Sequence, residues 1–252
     1  MRIQSGITWF DDDDFINSTV SFPSESTWKL ERKLQENEYY IPKDTAQIDG
    51  LGSEARAVFI GSKLSGDGPQ EAIIKIRMQI PWMGTVTKKP LIRAKQATPE
   101  MIAQSKMEVE TLSILTNAHC SCTPALFSWV KKQQGNDQWV PGGYILYILM
   151  EKLPGVNPAP IYDHMTRQER DDLRAAFKAA WLECVACGVV HGDPAIRNLL
   201  WDRATKKCYL IDFEVYRRPT QRSIWRNHLY ITWNLAQADF DADQDDMCTW
   251  QL

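Results

Sequence analysis

Apolar and polar positions change rhythm several times along this chain, and each change marks an element. The stretch TAQIDGLGSEARAVFIGSKL (45–64) reads as strand, glycine-containing turn, strand, with Val58, Phe59 and Ile60 in the second strand. After the turn SGDGP, EAIIKIRMQ (71–79) alternates as a strand carrying Lys75 between Ile74 and Ile76. TPALFSWVKK (123–132) and GGYILYILMEKLPG (142–155) read as two antiparallel strands around a polar hairpin. Two segments carry helical spacing instead. PEMIAQSKMEVETLSILTN (99–117) presents Met101, Met107, Leu112 and Leu115 on one face, with Thr98 as N-cap and Pro99 at the first position. Thr166-Arg-Gln-Glu169 is a capping box opening a helix to about Cys187, with Leu173, Phe177, Ala180, Trp181 and Cys184 along one face and Gly188 at its end. A further helix is expected over RSIWRNHLYITWNLAQ (222–237). Residues 1–43 read as an extension with an acidic run, Asp11 to Asp14, treated as a solvated face; TWKLERKLQENEYY within it fits a short helix or an edge strand.

This pattern describes an α+β protein, with one helix expected among the strands and the others after them. At 252 residues there is room for one two-lobed domain or two small ones. A net charge of −3 gives no reason to expect a nucleic-acid partner. No 18-residue apolar run is present to span a membrane, and the N-terminus lacks the apolar core of a secretory signal, so a cytosolic or nuclear protein is expected. In that setting the six cysteines are expected as thiols. His119, Cys120, Cys122 and the pair Cys184/Cys187 could be assembled into a zinc site on paper. The helical pattern around Cys184 and Cys187 favours thiols packed as small apolar groups. The acidic tail DFDADQDDMCTWQL is not a calcium loop, since Gln244 stands where the glycine belongs.

The densest chemistry lies in HGDPAIRNLLWDRATKKCYLIDFE (191–214). His191-Gly-Asp193 is followed by four residues and Asn198; Asp212-Phe213-Glu214 then leaves the apolar run Tyr209-Leu-Ile211. Three fixed residues match by chance at roughly 10⁻⁴ per start position, before the second group is counted. An Asp at a strand end facing an Asp and an Asn on a loop can hold Mg²⁺, which needs only one or two carboxylates beside phosphate oxygens and water.

These residues resemble the catalytic loop H-R-D-x-x-x-x-N and the metal motif D-F-G of the protein-kinase-like superfamily. Gly192 departs from the Arg that reads a phosphorylated activation loop, and Glu214 departs from the final Gly; both departures are familiar in atypical and small-molecule branches such as choline, aminoglycoside and RIO-type kinases. The resemblance implies a two-lobed kinase-like fold: an antiparallel-sheet N-lobe over 44–152 and a reduced, mainly helical C-lobe over 153–252. It makes Asp193 the proton acceptor, Asn198 and Asp212 the Mg²⁺ ligands, and Lys75 the phosphate-gripping lysine paired with Glu108, preferred to Glu110 because it precedes Leu112 by four. Gly50 and Gly52 take the first two positions of the loop over the ATP phosphates, with Ala55 at the third. Met150 becomes the gatekeeper, with Glu151 and Leu153 supplying adenine contacts. Arg197 meets an acceptor or a phosphate, with a surface salt bridge as the equal alternative, and His191 braces the loop. The insertion at 80–97, with Trp82 and Arg93, reads as a solvated loop. After Glu214 only 38 residues remain, too few for peptide-docking helices. The expected function is therefore transfer of the ATP γ-phosphoryl to a small-molecule hydroxyl. A minimal protein kinase or ATPase acting in a complex, or a nucleotide-binding scaffold, stands as the alternative.

Overall fold

A computed structural model describes residues 5–44, 52–239 and 246–252. The first strand of the hairpin expected from residue 45, Gly50, and the tail around Gln244 lie outside them. The fold is α+β, and the chain divides into two compact units: Met1–Lys106 with Leu126–Lys152, and Met107–Ala125 with Leu153–Leu252.

The first unit opens with α1 (Asp12–Phe15), whose N-terminus is capped by the Asp11 side chain accepting from Asp13 N at 3.0 Å. There follow β1 (Thr19–Ser21), β2 (Thr27–Tyr39), β3 (Glu54–Ser65), β4 (Glu71–Gln79) and the short α2 (Pro90–Arg93). The first residues of α3 (Ala103–Asn117) also belong here, with β5 (Leu126–Gln133) and β6 (Tyr144–Met150). The strands form one six-stranded antiparallel sheet in the order β1-β2-β3-β4-β6-β5. The stretch read as an extension is thus built into the sheet. Trp28 and Leu30 alternate inward along β2, and Trp9, Phe10, Phe15, Val20 and Phe22 join them in one core with Phe59, Ile74 and Ile76. The Trp139 indole donates to Trp9 O at 2.8 Å, fastening the N-terminal segment to the β5–β6 hairpin. The 80–97 insertion is ordered as well. Buried Gln96 accepts from Trp82 N at 2.9 Å, and Arg93 donates to Trp139 O at 2.7 Å.

Because side chains alternate along a strand, placing Ala72, Ile74, Ile76 and Met78 in this core turns Lys75 and Arg77 to the opposite face. A solvent-facing Lys75 is not what forms: the residue is 7% exposed and Arg77 is fully buried. Arg77 is neutralised by Glu54, also fully buried, through Nε at 3.0 Å and Nη2 at 2.6 Å. The second oxygen of Glu54 accepts from Tyr144 Oη at 2.7 Å and Ser105 Oγ at 2.5 Å. Burial first, then the Glu54 charge, holds the Tyr144 hydroxyl protonated, with its pKa well above the ordinary tyrosine value. Helix α3 begins at Ala103 rather than Pro99. Thr98 N donates to Gln79 Oε1 at 2.9 Å and its hydroxyl accepts from Glu100 N at 3.2 Å, which spends the expected cap on a separate turn.

The second unit holds the remainder of α3, α4 (Arg167–Ala186), β7 (Val190–His191), β8 (Leu199–Asp202), β9 (Lys207–Leu210), β10 (Tyr216–Arg217) and α5 (His228–Thr232). The capping box at α4 forms in both directions: Glu169 N to Thr166 Oγ1 at 3.2 Å and Thr166 N to Glu169 Oε2 at 2.9 Å. The five residues expected on the inner face of α4 are all buried. Gly188, at φ +87°, ends the helix and sends the chain into β7. The helix expected over 222–237 shrinks to α5, because Asn234 turns left-handed at φ +58° and Leu235 N bonds Tyr230 O at 2.7 Å. Two β-ribbons, β7–β10 and β8–β9, supply much of the rest. No described helix is long and apolar enough to cross a membrane.

Arg77→Met removes the closer cationic partner of the buried Glu54 charge, leaving Arg56 Nε at 3.3 Å. It is expected to lower stability by about 3–5 kcal/mol in urea unfolding followed by tryptophan fluorescence, and adding Glu54→Gln is expected to restore part of the loss.

Candidate functional site

The segments 191–198 and 211–214 meet within the second unit. His191 is 4% exposed and lies against Phe213 (ring centroids 4.7 Å) and Trp233 (5.1 Å), the latter packed on Phe177 of α4. Its Nε2 donates to Ile211 O at 3.0 Å and its Nδ1 accepts from Asp193 N at 3.2 Å, a pattern that requires the neutral ring protonated on Nε2. One imidazole therefore joins the residue before Asp212 to the backbone of Asp193. A second tie runs in parallel, from Ile211 N to Asn198 O at 2.9 Å. Burial is the largest influence on His191 and lowers its pKa, outweighing the hydrogen bond to Ile211 and the charges of Asp212 and Asp193.

The 3₁₀ turn Ile196–Asn198 returns Asn198 to the start of the loop. Its Nδ2 donates to Asp193 O at 2.8 Å and lies 3.3 Å from Asp193 Oδ2, so Oδ1 is the atom it can offer a cation. Arg197 Nη2 donates to Asp193 Oδ2 at 2.6 Å; this pair is more than half solvent-exposed on the arginine side, so it orients the carboxylate more than it stabilises the fold. Asn157 Nδ2 holds Arg197 O at 2.6 Å, a support that local sequence gave no reason to single out.

Gly192 has a packing explanation. Its amide donates to Val215 O at 2.8 Å across the β7–β10 ribbon, and an added Cβ would meet Val215 Cγ1 at 2.6 Å and Val215 O at 2.8 Å. An arginine has no room there.

Beyond Ile211 the chain enters the left-handed region at Asp212, φ +67°. An aspartate adopts it at a cost of about 1 kcal/mol, and it persists where surrounding contacts dictate it. Phe213 is fully buried, whereas Asp212 and Glu214 on either side are half-buried. Their carboxylates meet that of buried Glu108 from α3, with ligand oxygens all within 4.8 Å of one another. Three carboxylates this close repel, and a hard divalent cation is a natural means of relieving them. Glu214 is the residue that reading by resemblance missed, since it registered only as a departure from glycine. The signal was present in the period: acid, apolar, acid places both carboxylates away from the buried Phe213. Glu110, the acid passed over in favour of Glu108, is exposed and accepts from Tyr216 Oη at 2.7 Å, which raises the tyrosine pKa.

The remaining site candidates belong to the first unit or to the end of its last strand. Lys75 is buried on β4; Gly52 is buried just before β3, which already includes Ala55; Met150 is buried at the end of β6. Glu151 follows half-buried, and Leu153 opens the second unit. No protein-family model and no curated protein matches this chain.

Folding lowers the pKa of His191 below its ordinary 6.5, so the unfolded chain takes up this proton more readily. The residue contributes stability above that value, and the contribution is lost as pH falls below it. Melting temperature is expected to drop between about pH 7 and pH 5, with a shallower slope in His191→Gln.

Proposed function

We propose that this chain is an ATP- and magnesium-dependent phosphotransferase of protein-kinase-like fold that moves the ATP γ-phosphoryl to a hydroxyl of a small molecule. One observation carries the reading. The HGD–Asn loop and the Ile-Asp-Phe-Glu segment are fastened to each other by His191 and by the Ile211–Asn198 backbone bond, with carboxylates gathered at the junction. An exposed Asp193 beside such a cluster is the arrangement in-line transfer needs, a proton acceptor next to a place for a cation. The antiparallel sheet carrying a buried lysine on an inner strand is consistent with the same family resemblance.

The donor set suits the cation. Carboxylate oxygens of Asp212 and Glu214, with the Asn198 amide oxygen, are hard ligands of the kind magnesium takes. The resemblance pairs Glu108 with Lys75, and its nearness to Asp212 and Glu214 adds a possible role beside the cation. Bound Mg·ATP would supply the transferable phosphoryl and neutralise charge developing on it.

The chain's own groups divide the remaining work. Arg197 and the Asn198 amide hold Oδ2 of Asp193, which leaves Oδ1 to orient the acceptor hydroxyl and receive its proton. His191, neutral and clamped among aromatic rings, fixes the backbone of the loop and takes no part in proton transfer. Lys75 carries the phosphate-gripping role that the resemblance assigns it, and Met150, Glu151 and Leu153 the adenine contacts. A small-molecule acceptor is favoured by Gly192. With Val215 packed against it, this position carries no arginine to read a phosphorylated activation loop.

Asp193→Asn is expected to retain Mg·ATP affinity and lose about 10²–10⁴ in turnover. Asp212→Asn is expected to lose both. The assay is transfer from labelled ATP into a metabolite extract, with phosphorylated products identified by mass spectrometry and nucleotide affinity measured by calorimetry. Unchanged turnover in both variants contradicts the proposal.

A further inference from the structure

A second constellation, made of sulfur, lies elsewhere in the same unit and has no part in the proposed transfer. Cys120 and Cys122 sit on the loop after α3, and Cys184 lies on the last turn of α4. Their sulfurs form a closed triangle: Cys120–Cys122 3.4 Å, Cys122–Cys184 3.6 Å and Cys120–Cys184 4.0 Å. These separations are far beyond the ~2.05 Å of a disulfide. They match the edges of a tetrahedron of zinc–thiolate bonds, about 3.8 Å for bonds of 2.3 Å. A point about 2.3 Å from all three sulfurs lies roughly 0.9 Å out of their plane, against roughly 0.8 Å in a regular tetrahedron.

The fourth corner has a candidate in Cys187, whose sulfur is not among the three that lie within 4.8 Å of one another and would have to turn toward them. It follows Cys184 by three residues, one turn on at the C-cap of α4, and its Sγ lies 3.9 Å from the carbonyl of Ala118, two residues before Cys120. The spacing is C-x-C on a loop and C-x-x-C at a helix end; the second is a usual zinc-ligand spacing, and the first is tighter than usual. The loop is shaped to present them. Cys120 and Cys122 point to one side, while Ser121 between them is clamped through its amide and hydroxyl to the carboxylate of Glu183. Cys184, expected to pack as a small apolar group, is buried, but with its sulfur beside those of Cys120 and Cys122.

We propose that Cys120, Cys122, Cys184 and Cys187 bind a structural zinc ion. The site would fasten the loop after α3 to the end of α4, directly upstream of His191. It also touches the other arm of the candidate site, because Cys122 O accepts from Leu210 N at 2.9 Å, two residues before Asp212. The metal holds elements in place and takes no part in chemistry.

The test is metal analysis of the purified full chain, independent of any activity. One zinc per chain is expected after gel filtration, and replacement by cobalt is expected to give the sulfur-to-metal charge-transfer absorption of tetrahedral thiolate coordination. Cys120→Ser and Cys184→Ser should lose the zinc, while Cys248→Ser, at an exposed residue outside the cluster, should keep it. Since a change at buried Cys184 can also unfold the chain, the cobalt spectrum of the unaltered protein provides the second readout. Zinc-free protein that gives no such spectrum with cobalt overturns the proposal. So does a disulfide between any two of the four cysteines in the freshly purified chain, or zinc retained by a folded Cys184→Ser variant.

Discussion

A buried imidazole with two committed nitrogens fixes the geometry on which the candidate site depends. His191 reaches Ile211 with one nitrogen and Asp193 with the other, and the second of these bonds requires the ring to stay neutral. Phe213 and Trp233 press on the ring and keep water away. Burial therefore acts twice: it strengthens the hydrogen bonds by lowering the local dielectric, and it disfavours the protonated ring that would break one of them. Asp193 and Asp212 lie nineteen positions apart in the chain, and this ring with the Ile211–Asn198 bond is what couples their backbones.

Around that junction the second unit spends its irregular geometry. Asp212 turns left-handed, Gly192 accepts a backbone approach that no side chain could tolerate, and three carboxylates converge. Each costs free energy, and their concentration within one loop and one strand end is the pattern expected of a functional site. The first unit places its buried charge differently. Glu54 and Arg77 neutralise each other, and Tyr144 and Ser105 saturate the remaining carboxylate oxygen, so the pair holds the sheet together.

Much of this was legible from local signals. Alternation along EAIIKIRMQ and the apolar run of β6 gave their strands, and Thr166 with Glu169 gave the start of α4, because each signal acts within a few residues. The spacing within 191–214 carried the resemblance for the same reason, and the structure brings its two segments together. What escaped was non-local. The strand β2 needed the N-terminal aromatics to cover it, and Thr98 is held outside the helix by Gln79, nineteen residues earlier, which accepts from its amide. Glu54 and Arg77 are joined only by the fold, so no window of sequence contains them, and the cysteines grouped on paper are brought to one point only by it. Glu214 is the instructive exception. It was visible but was compared with a motif instead of being read as the second acid of an alternating pair.

The central claim is that Asp212, with Asn198 and its neighbouring carboxylates, holds a divalent cation carrying a nucleotide. Anomalous diffraction from crystals grown with Mn²⁺ and a non-hydrolysable ATP analogue tests it most directly. The account predicts a manganese peak about 2.0–2.3 Å from an Asp212 oxygen, within reach of Asn198 Oδ1, and bridged to the analogue's phosphates. A well-ordered nucleotide bound elsewhere, or manganese that leaves Asp212 and Asn198 unliganded, would contradict it.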